Sequence, residues 1–188
     1  NIFGNYITEE KVIRNSLVID EGDPFNELLL SKSINSIKSR GLFQSVVSKI
    51  RNSNDDIQKK IIDITVEEKP TGEIFAGAGT GTSGATISAG IKEKNYLGKG
   101  ITLGTNLTLS EHELKGKFSV VNPNFRNSDR SFNTTVESTT SDFLSTGGFK
   151  TSRTGFGLGT GFEQYSDLYI NLDISTYYEK LETTSTAS

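Results

Sequence analysis

Residues 71–188 alternate between apolar and polar side chains, stretch after stretch, and a period of two confines this part of the chain to β-sheet. Ala85, Ile87, Ala89 and Ile91 alternate with Thr86, Ser88, Gly90 and Lys92. Ile101, Leu103, Thr105, Leu107 and Leu109 alternate with Thr102, Gly104, Asn106, Thr108 and Ser110. The pattern returns in Leu114–Val120, in Phe156–Phe162 against Gly155, Gly157, Gly159 and Gly161, and in Leu168–Ile174. A weaker strand spans residues 130–142, with Phe132 and Val136 on its apolar side. With the small-residue stretch Glu73–Thr80, the expectation is seven strands, each of about 9–13 residues, the length a tilted strand needs to cross a bilayer.

A soluble β-sandwich alternates too, but its strands average about 5–6 residues. Length therefore favours a membrane barrel, as does a polar side rich in Gly, Thr, Asn and Lys. Tyr96, Phe125, Tyr165, Tyr177 and Tyr178 are expected at strand ends, where interfacial aromatic girdles sit. The sandwich stays open as the alternative. Seven strands do not complete a bacterial barrel, since those use even counts from about eight upward. More chain is expected after Ser188, and both ends read as cut points.

Composition excludes several classes of chemistry. The chain has no Cys and one His, His112, which removes thiol chemistry and leaves almost no scope for a His-based metal site or a Ser-His-Asp triad. A net charge of −3 without a basic run gives no case for nucleic acid. No apolar run reaches the roughly 18 residues of a membrane helix.

Residues 1–70 hold 3 of the 19 glycines and read as a separate α/β module. Thr8 is expected to cap a first helix running to about Leu17, with acids in its first turn. Asp20-Glu21-Gly22-Asp23-Pro24 breaks it. Asn26 should cap a second helix, which leaves through Arg40-Gly41. Two strands follow, Leu42–Ile50 and Lys60–Glu67, the second with Ile62, Ile64 and Val66 on its buried face. Asp55-Asp56 lies in the polar turn between them. The expected order is strand, helix, helix, strand, strand, with the first strand largely truncated before Ile2.

With both halves placed, the chain resembles the BamA family of outer-membrane β-barrel assembly factors. Residues 1–69 are similar to its last POTRA domain through Gly4-Asn5, Asp20-Glu21-Gly22, Ser39-Arg40-Gly41-Leu42-Phe43 and Val66-Glu67-Glu68-Lys69. Residues 70–188 are similar to its first barrel strands through Gly77-Ala78-Gly79-Thr80-Gly81, Asn95-Tyr96-Leu97-Gly98-Lys99-Gly100 and Asn122-Pro123-Asn124-Phe125. The resemblance implies an α+β POTRA domain (β-α-α-β-β) in the periplasm, followed by antiparallel strands forming part of a 16-stranded transmembrane barrel in the bacterial outer membrane. It implies a non-enzymatic role in inserting unfolded outer-membrane protein clients, with accessory lipoproteins and lipid as partners, and no cofactor or metal. The family's Arg-Gly-Phe loop motif lies outside these residues. A related secretion transporter that passes an unfolded protein through its barrel is the rival within this fold.

The resemblance puts Glu73, Ile74, Phe75, Ala76, Gly77, Ala78, Gly79 and Thr80 on the first barrel strand, as an edge that pairs with client strands. It puts Glu21 at the position that docks an accessory lipoprotein. The residues themselves support only part of this. Ala and Gly give few cross-strand contacts, and Gly weakens a strand. An open edge offers N–H and C=O groups that lipid does not satisfy. Ile74, Ala76, Ala78 and Thr80 should face lipid, and Gly77, Gly79 and Gly81 the lumen. The plainer reading is that these glycines only let a barrel bend, and that Glu21 is a solvated turn acid. Gly77-x-Gly79 precedes no helix, so it is no dinucleotide fingerprint. Glu111 and Glu113 flank a turn and make no catalytic pair.

Overall fold

The computed structural model describes residues 1–53, 59–81, 84–165 and 168–184, so the Asp55-Asp56 turn lies outside the described residues. Two compact units emerge. The first comprises Asn1–Thr71, Lys94–Ile101 and Arg126–Ser128; the second holds the remaining strands.

In the first unit the order is β1 (Ile2–Phe3), α1 (Glu10–Arg14), α2 (Glu27–Ser39), β2 (Phe43–Asn52) and β3 (Lys60–Glu68). The sheet order is β1-β3-β2, with β1 parallel and β2 antiparallel to β3. Asn26 caps α2 as expected, its side chain accepting from the N–H groups of Leu28 and Leu29 at 2.9 and 3.3 Å. The chain leaves α2 through Arg40 and through Gly41 at φ +70°. Helix α1 differs from expectation. It is five residues long, starts at Glu10, and has Glu9 rather than Thr8 at its cap, with no side-chain capping bond. The Thr8 hydroxyl is engaged elsewhere, by a residue 87 positions away.

The core of this unit joins both helices to the sheet. Val12 and Ile13 of α1 and Ile37 of α2 meet Phe43 and Val46 of β2 and Ile64 and Val66 of β3, with Leu42 beside them. Ile13 and Ile37 are fully buried. Burial of such side chains contributes about 1.5–3 kcal/mol each, which explains how a short module holds two helices on a three-stranded sheet.

After β3 come the seven strands that the alternation predicts: β4 (Gly72–Gly81), β5 (Gly84–Tyr96), β6 (Ile101–Ser110), β7 (Glu113–Asn122), β8 (Arg130–Phe143), β9 (Phe149–Tyr165) and β10 (Leu168–Thr183), of which all but the end of β5 and the first residue of β6 fall in the second unit. They form one antiparallel meander in chain order. Register sorts the side chains. From β6 to β10, Leu103 faces Val120, Phe118 faces Val136, Val136 faces Phe156, and Leu158 faces Ile174. Between β4 and β5, Ile74 faces Ile91 and Ala78 faces Ile87. Most of these apolar residues stand exposed, Ile74 at 84% and Ile174 at 80%, while Leu103 and Val120 are half-buried, and among the described residues no second sheet covers this face.

The opposite face is polar and close-packed against glycine. Asn133 of β8 and Asp173 of β10 both pair with Gly159 of β9, and their side-chain oxygens occupy the space a Cβ at Gly159 would need. Tyr177 lies where a Gly155 side chain would stand, with the Arg153 guanidinium 3.7 Å from its ring centre. The aromatic expectation holds for Tyr96, Phe125 and Tyr165. It fails for Tyr177 and Tyr178, because β10 continues to Thr183 and leaves both inside the strand.

Candidate strand-pairing edge

Strand β4 is terminal in the seven-stranded sheet and, among the described residues, pairs only with β5. All ten of its residues are exposed. In an antiparallel pair the two edges of a strand alternate in hydrogen bonding. Along Ile74–Thr80, alternate N–H and C=O groups therefore turn away from β5.

Side-chain support for the β4–β5 pair is thin. Ala76 opposes Ala89, Gly77 opposes Ser88, and Gly79 opposes Thr86. A Cβ at Gly77 would meet only Ser88 Oγ, at 3.6 Å, and one at Gly79 would meet nothing within 4 Å. The larger groups cluster at the start of the strand. Glu73 opposes Lys92, Ile74 opposes Ile91, and the Phe75 ring occupies the space above Gly90. Phe75 shares its face with Gly77 and Gly79, and Ile74 shares the other with Ala76, Ala78 and Thr80. From Ala76 onward the strand is held mainly by its backbone ladder. β10, at the other end of the sheet, carries Ile170, Leu172, Ile174 and Tyr177, each opposite a partner on β9.

Glu21 sits in the exposed turn between α1 and α2, well away in sequence from β4. Its carboxylate accepts from Arg14 Nη1 at 2.9 Å, and Arg14 Nε donates to Glu10 at 2.7 Å. The hydrogen bond from Arg14 to Glu21, then that to Glu10, holds the guanidinium pKa above its ordinary value. Beside Glu21 opens a cleft of about 680 Å³ lined by Leu17, Ile19, Phe25, Leu30 and Ile62. His112 lies in the β6–β7 turn, its ring 4.9 Å from that of Phe143. No group of three or more His, Cys, Asp or Glu able to hold a metal occurs among the described residues.

One cluster was not assigned a role by sequence reasoning. Glu68 closes β3 and accepts the N–H groups of Tyr6, Ile7 and Thr8 at 3.1, 2.9 and 2.6 Å. Buried Thr8 then receives Asn95 Nδ2–H at 2.9 Å. The stretches containing Glu68 and Asn95 carry the family resemblance, but no local pattern joins them.

A short α+β module followed by an antiparallel sheet with one uncovered apolar face defines the class: a POTRA-type domain joined to barrel strands. A POTRA family profile, described as a surface antigen variable number repeat, matches residues 1–69, and the Omp85 superfamily domain matches residues 95–188. The chain belongs to the Omp85 superfamily.

It is 26% identical over 126 residues to the outer membrane protein assembly factor BamA of Neisseria meningitidis serogroup B (strain ATCC BAA-335 / MC58), covering 66% of this chain and 16% of that relative. The chain thus spans about a sixth of that relative's length. The solved structure of BamA from Haemophilus ducreyi lacking POTRA domains 1–3 has the same fold, with a TM-score of 0.84 at 22% identity, over 97% of this chain and 35% of that one. CdiB from Escherichia coli has a TM-score of 0.63 at 12% identity, over 96% of this chain and 37% of that one.

Proposed function

We propose that this chain is part of a factor that assembles and inserts β-barrel proteins into the bacterial outer membrane, and that β4 is the edge on which a client strand pairs. Residues 70–188 then form the first strands of a 16-stranded barrel. Residues 1–69 form the last POTRA domain, on the periplasmic side. The observation that carries the reading is the contrast between the two terminal strands of the sheet: β4 is built from Ala and Gly over most of its length, and β10 is not. A strand held by backbone bonds, with little side-chain packing, exchanges partners at low cost. Client recognition through N–H and C=O groups places little demand on client sequence.

The uncovered apolar face supports lipid as its surroundings. Ile87, Leu107, Leu172 and Ile174 are each more than half exposed. In water such a face costs about 25 cal/mol per Å², whereas hydrocarbon removes that cost. A soluble β-rich adhesin would need a second sheet over these residues. Glu21, beside its apolar cleft, is proposed as the docking point for an accessory lipoprotein, with the Arg14 ion pair opening to admit a partner cation.

The test is a cysteine scan of residues 73–80 in the full-length protein, with a client bearing single cysteines in its last strand. Disulfides that follow an antiparallel or parallel register along β4 support the reading. An actively inserting complex that yields no crosslink at any of these eight positions overturns it. The likeness to CdiB gives the second reading, a transporter passing one unfolded partner through its lumen. That reading expects secretion of one dedicated substrate and no insertion of unrelated barrels into vesicles.

A further inference from the structure

Three stretches that play no part in the strand edge converge on one cluster: Gly4-Asn5, Val66-Glu67-Glu68-Lys69 and Asn95–Gly100. All belong to the first compact unit, which includes the turn between β5 and β6 as well as residues 1–71. The Glu68 carboxylate gathers the N–H groups of Tyr6, Ile7 and Thr8. The loop is tied from inside by Asn5 Nδ2, which donates to the Thr8 carbonyl at 3.0 Å.

From Thr8 the bonds run on into the turn. Thr8 Oγ1 accepts Asn95 Nδ2–H at 2.9 Å, and Asn95 Oδ1 accepts the Gly100 N–H at 2.8 Å. Alongside, the Glu9 N–H donates to the Gly98 carbonyl at 2.8 Å. Thr8 is 2% exposed and Asn95 8%, so the relay is shielded from water. Gly98 has φ +72°, and a Cβ there would overlap the Ile7 carbonyl oxygen. Leu97, at the tip of the turn, is 67% exposed and contributes little apolar anchoring.

The direction of the relay follows from its last member. The Gly100 N–H only donates, so Asn95 presents its amide oxygen there. The Asn95 NH₂ then faces Thr8, and Thr8 Oγ1 accepts from it. Bonds in such a chain polarise one another and are lost together.

We propose that residues Tyr6–Glu9 form an intrachain docking site whose occupant is the β5–β6 turn, and that Glu68 is the positioning residue that gives the site its shape. Thr8 and Glu9 make the hydrogen bonds to the turn, and Glu68 accepts from the loop residues Tyr6, Ile7 and Thr8. Release of the turn is therefore controlled by Glu68, at the end of β3.

Hydrogen exchange in the full chain in detergent micelles tests this. Glu68→Gln keeps the side-chain shape but replaces one accepting oxygen with an NH₂ group. Asn95→Asp replaces the donor facing Thr8 with an acceptor. Each should raise exchange at the Glu9 and Gly100 amides at least tenfold, with the Leu30–Ile37 amides of α2 unchanged. The two together should do no more than the larger single change. Glu67→Gln, one residue away on the outer face of β3, should do nothing. Glu9 and Gly100 exchanging as before in both variants, or strictly additive effects, overturn the proposal. If Glu68→Gln also exposes α2, Thr8→Ser and Thr8→Val decide: protection kept by Ser and lost by Val supports the relay, and equal behaviour refutes it.

Discussion

If poor side-chain pairing is the working property of β4, then strengthening that strand should impair function while stabilising the fold. Gly77→Thr with Gly79→Thr makes the test. Both positions admit a side chain: Ser88 Oγ lies 3.6 Å from a Cβ at Gly77, and nothing lies within 4 Å of one at Gly79. Neither glycine has positive φ. Each substitution removes the conformational cost of Gly in a strand, roughly 0.5–1 kcal/mol. Each adds a cross-strand pair, with Ser88 or with Thr86, worth roughly 0.2–1 kcal/mol. The double substitution should favour the paired state of β4 by about 1.4–4 kcal/mol, roughly 10- to 700-fold at about 1.4 kcal/mol per decade.

Two measurements check it on the full-length protein: amide exchange along β4 and β5, and the rate of client insertion into vesicles. Slower exchange at β4 with slower insertion is the expected result. Slower exchange with unchanged or faster insertion would refute the idea that weak pairing matters. A variant that no longer folds would instead show that these glycines serve curvature of the sheet.

Three further outcomes follow from the packing and electrostatics. Burial pushes the Glu68 pKa up, but hydrogen bonds from Thr8, Ile7 and Tyr6 outweigh it and hold it below the usual carboxylate value of 4.5. A depressed folded pKa contributes stability above the unfolded value and loses it as pH falls through the folded one. Acid titration followed by Glu9 amide exchange should therefore show loosening below about pH 4.5, and Glu68→Gln should abolish that step. Asn26→Ala removes two capping bonds to α2 and should lower the stability of the first unit by about 1 kcal/mol, read as a shift in denaturation midpoint at constant m. Gly159→Ala drives a methyl group against the side-chain oxygens of Asn133 and Asp173. It should cost about 1–3 kcal/mol, and adding Asn133→Ala should restore part of it in a double-mutant cycle of sheet stability.

Much of the sheet is legible without coordinates. Ile87, Leu107, Phe118 and Ile174 announce one face because side chains in a strand alternate strictly. The outer parts of β9 and β10 are not legible. There Ser152 and Thr154 stand opposite Lys180 and Tyr178. Both faces are mixed or polar, and period two disappears while the backbone ladder continues. Tyr177 and Tyr178 were misplaced at a strand end for this reason. The Thr8 cap failed differently: a Thr before acidic helix residues is a sound local signal, but its hydroxyl had a better partner in Asn95. As for the candidate edge, its Ala and Gly content is visible in the sequence, and its terminal place in the sheet is not.

By itself the sequence determined the seven strands over their regularly alternating parts, the two faces there and the Asn26-capped helix, because each rests on residues a few positions apart. Tertiary structure decided which groups meet. It set Phe75 over Gly90, leaned Asn133 and Asp173 over Gly159, and linked Glu68 to Asn95 through Thr8. Those pairings depend on register and chain path. Backbone hydrogen bonds are the same for every residue, so nothing in a single strand names its neighbour.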